Sequence, residues 1–345
     1  MISKGLTAVL LLVSLVGCGA ASEPTATPEP TPDDTVRIGL VIAIGSADDG
    51  GYNALSLAGV SGVAVRIGAQ FDYAEPTDEQ NSATLLAEMA ASGAYDIIVT
   101  NSFELQTATL AVADQHPDIH FIGLDQFQTE ERPNVTGIMF PEDQAGFLAG
   151  VLAANLTETG IIGGVYGPDE VPAIQAFSVG FRSGVAYVNP DAEVLDLFHP
   201  EDPSIGFDDI PWGSEAAETH LNDGADVVFT AAGDTGRGAL VKVAQQNTTI
   251  EPPLYCIGVD TDQWLTAPQA RPCLVSSAMK FIPQAVDEVV TQVLAGEPPT
   301  GNYLGPVGLA PYHDFEDIIS DELRAELDQI AEDLISGVLD TGHAN

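Results

Sequence analysis

Asp49, Asn53, Gly233, Asp260 and Lys280 stand where short apolar runs of this sequence give way to turns. Their types suit the holding of a polar ligand. Ala47-Asp48-Asp49-Gly50-Gly51-Tyr52-Asn53 follows the first such run and leads into a helix. Asp49 offers an acceptor and Asn53 an amide at the carboxyl end of a strand, where open α/β sheets bind their ligands. The same two residues suit helix capping equally well. Ala231-Ala232-Gly233-Asp234-Thr235-Gly236-Arg237-Gly238 follows another run in the same way. Gly233 lets the backbone come close to a ligand, and the next helix offers free N–H groups. The segment lacks the Lys-Ser/Thr ending of a P-loop and the spacing of the dinucleotide fingerprint.

Gly258-Val259-Asp260-Thr261-Asp262-Gln263 places a third acid at a strand end, where a cap is the other reading. Ser276-Ser277-Ala278-Met279-Lys280 closes a run with one of the two lysines found after residue 4, the other being Lys242. A lysine closing a buried strand needs a partner. Topology makes Asp49 and Asp260 the candidates, and a snorkelling side chain is the alternative. The sequence has no Gly-x-Ser-x-Gly and no His-Glu-x-x-His, and its histidines at 116, 120, 199, 220, 313 and 343 show no metal spacing. No catalytic residue, metal or cofactor is expected.

The elements that must position these residues alternate. Strands are expected at 36–45, 95–100, 120–125, 134–140, 161–167, 193–199, 226–232, 254–260 and 273–280. Several are apolar almost throughout, as in parallel strands buried on both faces. Helices are expected at 77–91, 144–156, 215–222, 282–295 and 321–339. Alternating strand and helix predicts doubly wound parallel sheets. The number of units predicts two such lobes, with 134–140 crossing between them and 273–280 crossing back. Two lobes joined at a cleft make a hinge-closing binding protein.

The N-terminus predicts where the protein works. Lys4, the apolar run from Leu6 to Val16 and Gly17 form a secretory signal. The run is too short to span a bilayer. Leu15-Val16-Gly17-Cys18 resembles the lipobox of bacterial lipoproteins, which implies that Cys18 is lipidated. An ordinary signal peptide with a chance cysteine is the alternative. Residues 19–35 are rich in Pro, Thr and Glu with no large aliphatic side chain before Val36, so they read as an extended tether. Anchor, leash and body predict a lipid-anchored protein on the outer face of a cell membrane.

Composition narrows the partners. The net charge is -41, with 51 acids against 10 Lys and Arg. Nothing here neutralises phosphates, so nucleic acid is excluded as a partner. With 45% hydrophobic residues the chain can build real cores, and about 310 residues after the tether predict two domains. Beside Cys18, Cys256 and Cys273 form an even pair in an oxidising compartment. Both open apolar runs. If those runs are adjacent parallel strands, a disulfide fits; two buried free thiols are the alternative.

These loops together resemble the basic membrane protein family of lipoproteins, which includes the purine nucleoside receptor type of substrate-binding protein for ABC importers. The resemblance runs from about Val36 to Leu309. Asp49-Gly50-Gly51-Tyr52-Asn53 looks like its Asp-x-Ser-Phe-Asn segment. Phe147-Leu148-Ala149-Gly150 resembles its Phe/Tyr-Leu-x-Gly helix. Gly180-Phe181-Arg182-Ser183-Gly184 with Asn189-Pro190-Asp191 resembles its Gly-Phe-x-x-Gly and Asn-Pro-Asp pair. The Gly233, Asp260 and Lys280 loops follow in family order.

The resemblance implies a type I periplasmic-binding-protein fold, two doubly wound parallel-sheet lobes joined by a hinge, with a nucleoside in the cleft. It implies ligand contacts from Asp49 and Asn53, ribose contacts from Asp260 and Lys280, and a stacking aromatic before the Gly233 loop. Phe207 is the matching position and Trp212 its rival. Gly51 replaces the usual Ser, Leu57 stands where an aromatic often forms the second face of the base sandwich, and Asn101-Ser102-Phe103 replaces a Gly-x-Gly-Phe loop. Ser102 is thus the candidate contact at the base end.

The expected organisation is a signal peptide at 1–18, a tether at 19–35, an N-terminal lobe of 36–140 plus 281–303, and a C-terminal lobe of 141–280 plus 304–345. The expected partners are a nucleoside and an ABC permease, with the chain itself a monomer. A sugar or other small polar ligand, or a signalling partner in the membrane, is the alternative.

Overall fold

The fold was obtained as a computed structural model that describes residues 35–43, 45–76, 79–247 and 252–343. The signal segment, Cys18 and the tether lie outside the described residues.

Two six-stranded sheets organise the body. The first takes β1 (Arg37–Val41), β2 (Gln70–Ala74), β3 (Ile97–Thr100), β4 (His120–Leu124) and β5 (Val135–Met139). The second takes β6 (Ile161–Tyr166), β7 (Glu193–Phe198), β8 (Val227–Ala231), β9 (Tyr255–Asp260) and β10 (Leu274–Lys280). The chain then returns: β11 (Gly301–Leu304) joins the first sheet and β12 (Val307–Leu309) the second. The orders are β2-β1-β3-β4-β5-β11 and β7-β6-β8-β9-β10-β12, so the lobes repeat one topology. All pairings are parallel except β10 with β12. In each sheet the order reverses beside the first strand, which opens a crevice at the carboxyl ends of β1 and β3 and of β6 and β8.

Parallel strands need helices on both faces, and the sequence supplies them. Helix Ile282–Leu294 buries Ile282, Val286, Val289 and Val290, one helical stripe, against Val60 and Val63 of helix Tyr52–Ile67 on the first sheet. Leu86, Ala90 and Val112 of two further helices cover the other face. On the second sheet, helices Glu142–Leu156 and Pro172–Val188 cover one face, and helices Ile210–Asn222 and Gly233–Gln246 the other. Helix Asp321–Ile335, four residues shorter than the periodicity suggested, presses Leu327, Ile330 and Leu334 onto helix Glu142–Leu156.

Four glycines let the first of these pairs touch backbone to backbone. A Cβ on Gly146 or Gly150 would collide with the carbonyl oxygens of Phe177 or Phe181. One on Gly180 or Gly184 would collide with those of Asp143 or Phe147. The Phe-Leu-x-Gly and Gly-Phe-x-x-Gly motifs are therefore two sides of one helix crossing.

The two strands expected to cross between the lobes, 134–140 and 273–280, do not do so. β5 and β10 are ordinary members of their own sheets, and the chain changes lobe in the residues just after them, at Phe140-Pro141 and Phe281. A third crossing, Gly305-Pro306, follows β11. Prolines lack the N–H that would extend a ladder, so pairing stops there. The crossings bond to one another: Phe281 N donates to Pro306 O at 3.0 Å, and Gly305 N to Met139 O at 2.7 Å.

At the other end of the second sheet, Cys256 and Cys273 are joined by a disulfide with Cα atoms 5.2 Å apart. Cys256 N also donates to Cys273 O at 2.7 Å. β9 and β10 are adjacent and parallel, which brings their starts together.

Candidate ligand-binding cleft

A cleft of about 1790 Å³ lies between the lobes, lined by the loops at the carboxyl ends of both sheets. Asp49, Asn53, Ser102, Phe207, Gly233, Asp260 and Lys280 all line it. Trp212 does not: its ring packs 4.5 Å from His199 in the core behind helix Ile210–Asn222.

Asp49 is a cap. Its carboxylate accepts from Gly51 N at 2.8 Å, Asn53 N at 3.0 Å and Ala54 N at 2.9 Å, which fixes the start of helix Tyr52–Ile67. Asn53 is likewise engaged. Its Nδ2 donates to Ser46 O at 3.2 Å, and its Oδ1 accepts from Asn101 Nδ2 at 2.8 Å. Asn101 in turn accepts from Ala43 N at 2.8 Å. These residues build the loop that faces the ligand space. Ser102 sits in the left-handed region at φ 71, and its N–H donates to the Tyr52 hydroxyl at 3.3 Å.

On the C-terminal lobe, Phe207 is held by its own backbone. Its carbonyl accepts from Asp234 N at 2.9 Å and Thr235 N at 3.3 Å. Those N–H groups open helix Gly233–Gln246, so this helix start serves Phe207 rather than an anion. Gly233, at φ +56, allows the approach: its Cβ would lie 3.0 Å from Phe207 O. The Phe207 ring lies over Gly167. Tyr52, Phe103, Phe127, Phe140, Phe177 and Tyr303 add rings to the cleft wall; the sequence pointed only to Phe207, with Trp212 as its rival.

Charge concentrates at the crossings. The Lys280 ammonium pairs with Asp125 Oδ2 at 2.8 Å and Glu142 Oε1 at 2.6 Å. The sequence pointed to Asp49 and Asp260 as its partners. Asp125 ends β4 and Glu142 opens the helix after the first crossing, and both stand nearer than either of those acids. Burial lowers the Lys280 pKa, but Asp125, Glu142 and Asp260 together reverse this and leave it raised. Burial raises the Glu142 carboxyl against the pull of Lys280. Asp260 has a left-handed backbone, φ 62. Burial pushes its pKa up to about 6, with Lys280 opposing and Asp125 and Asp49 adding. Its carboxylate makes no hydrogen bond among the described residues and faces the cleft. The site thus offers Asp260 as an open acceptor beside one cation with a donor to spare, and Asp125 Oδ1 is buried without a partner as well. No cluster with metal-holding composition occurs among the described residues.

That arrangement suits recognition, and the relatives agree. The family described as Bmp, ABC transporter substrate-binding protein PnrA-like, matches residues 36–305. The chain belongs to this family. It is therefore a solute-binding protein of ABC transport, whose partners are a small-molecule ligand and a permease. Among curated Bmp relatives, a CD4+ T-cell-stimulating antigen of Listeria innocua is 28% identical, covering 94% of this chain and 93% of its own. An uncharacterised lipoprotein of Pyrococcus horikoshii is 28% identical over 83% of this chain and 70% of its own. Basic membrane protein A of Borreliella burgdorferi is 26% identical over 87% and 86%.

Among solved structures, an ABC transporter solute-binding protein from Aeropyrum pernix superposes with a TM-score of 0.76 at 22% identity, covering 88% of this chain and 92% of that one. One from Conexibacter woesei gives 0.72 at 23%, covering 89% and 98%. These place the Bmp chain in the periplasmic-binding-protein fold.

Proposed function

We propose that this protein is a lipid-anchored receptor that binds a nucleoside in the interlobe cleft and delivers it to an ABC permease. The observation that carries the ligand class is that Asp260, Lys280 and Phe207 line one cleft, with the Asp260 carboxylate unpaired. An unpaired carboxylate accepts from one ribose hydroxyl, an adjacent ammonium donates to another, and an aromatic face receives the base. Such stacking contributes on the order of 1–3 kcal/mol per base. The deficit of positive charge in the cleft disfavours phosphorylated ligands.

Anchoring is supported by Leu15-Val16-Gly17-Cys18 and by relatives named as lipoproteins. No helix among the described residues is long and apolar enough to cross a membrane.

A thermal-shift screen of nucleosides, free bases and pentoses tests the ligand class, because a ligand that binds only the native state raises the melting point. Nucleosides should raise it most. A response to pentoses or hexoses alone would replace the nucleoside by a sugar.

A further inference from the structure

Lys280 and Asp260 are opposite charges in one cleft, yet they do not pair. The reason lies in Glu142. An ammonium has three N–H donors. One Lys280 donor goes to Asp125 at 2.8 Å and one to Glu142 at 2.6 Å. The rings of Tyr52, Phe140 and Phe177 stand 5.4, 5.5 and 5.9 Å from Nζ and close its flanks. The third donor is left for the cleft, which Lys280 lines. Glu142 opens its helix directly after a crossing, and its backbone N–H donates to Phe140 O at 3.0 Å. Glu142 thus stands at the crossing itself, where its carboxylate meets Lys280.

We propose that Glu142 is a positioning residue that holds the Lys280 ammonium away from Asp260, so that the lysine donor and the aspartate acceptor stay separate and both remain open to adjacent hydroxyls of one ligand. This rests on the nucleoside reading for its ligand but not for its geometry. Without Glu142, Asp125 keeps its bond to Lys280, and Asp260 is the next acid in influence on the freed donor. Lys280 and Asp260 would pair and close the diol site on itself. Burial, Lys280, Asp125 and Asp49 set the Asp260 titration. Glu142 acts on it through Lys280.

The test uses the full chain and Glu142→Ala, with Glu142→Gln as the shape-preserving variant. Carboxyl-carbon NMR follows the Asp260 titration without ligand. In the unaltered protein the midpoint should be raised by burial, to about 6. In Glu142→Ala it should fall toward the ordinary aspartate value, about 4, and in Glu142→Gln it should fall less. Calorimetry with adenosine and 2′-deoxyadenosine then reads specificity. Adenosine should lose at least tenfold in affinity in Glu142→Ala, and its advantage over the deoxy analogue should collapse.

An unchanged Asp260 midpoint in the variants overturns the proposal, as does a lowered melting point with the ribo-to-deoxy ratio intact. If Glu142→Ala does not fold, Glu142→Gln decides by the same readouts. A shifted midpoint in a protein that binds no nucleoside upholds Glu142 and removes the nucleoside instead.

Discussion

If Asp260 accepts from the ligand, as proposed, binding depends on pH, and the sign follows from the surroundings of this carboxyl. Burial is the main cause that raises its pKa to about 6. Between the ordinary aspartate value and that point, the ligand-free folded protein keeps a proton that a solvated aspartate would have lost. A ligand hydroxyl donating to the carboxylate favours the ionised form. Binding therefore releases the proton, and affinity rises as pH rises through the folded value. If only the ionised form accepts the ligand, affinity should be about tenfold higher near pH 7 than near pH 5. Asp260→Asn should abolish the slope as well as weaken binding. Calorimetry in two buffers of different ionisation enthalpy checks the released proton. A flat profile in the unaltered protein would mean that Asp260 meets no donor. Lys280 shows how much of this site was legible. Its need for a partner was readable from one lysine closing a buried strand. The partner was not, because Asp125 lies 155 positions away and Glu142 follows a crossing whose place only the folded topology fixes.

At the scale of elements, the glycine crossing of helices Glu142–Leu156 and Pro172–Val188 supports the site from behind, since these helices carry Glu142 and Phe177. Gly150→Ala should push the helices apart at the Phe181 carbonyl. It should destabilise the protein by about 1–3 kcal/mol, the usual range for overpacking, read as a lower urea midpoint. An unchanged midpoint would show that the contact yields freely. The apolar parallel strands and the long amphipathic helices announced themselves, because burial on two faces or on one stripe leaves a pattern in the chain. β2, β11 and β12 did not. β2 is an edge strand with half-exposed residues, and β11 and β12 have four and three residues, too few for a period. The crossing strands were misassigned for a related reason: a strand that ends at a hinge has the same sequence as one that ends at a turn. Asp49 and Asn53 were legible as an interesting pair, but capping and ligand contact ask for the same side chains; the hydrogen bonds show the capping by Asp49, and both residues also line the cleft.

The whole molecule carries -41 charges with 10 Lys and Arg. Folding and lobe closure both gather like charges. Across the lip of the cleft, Asp234 is raised first by burial, then by Asp208 and Asp49 against the relief of Arg237, so acids from both lobes face one another. Self-repulsion of this kind is screened by salt, with a Debye length that falls from about 10 Å at 0.1 M to about 3 Å at 1 M. The melting temperature should rise steadily with sodium chloride over that range, and an uncharged osmolyte of equal osmolarity should not reproduce the rise. A melting temperature that is flat or falls with salt would mean that the acids are too well solvated to oppose the fold.

On the proposed function, this cleft reads a ribose through Asp260 and Lys280. The most direct test is calorimetric titration of the unaltered protein, Asp260→Ala and Lys280→Ala with adenosine and with 3′-deoxyadenosine. Removing one partner of a buried charged hydrogen bond typically costs about 2–5 kcal/mol, so each variant should lose at least roughly thirtyfold in affinity for adenosine. The loss should be smaller for the analogue that already lacks a hydroxyl. Equal losses for both ligands, or no binding of adenosine by the unaltered protein, would contradict the account.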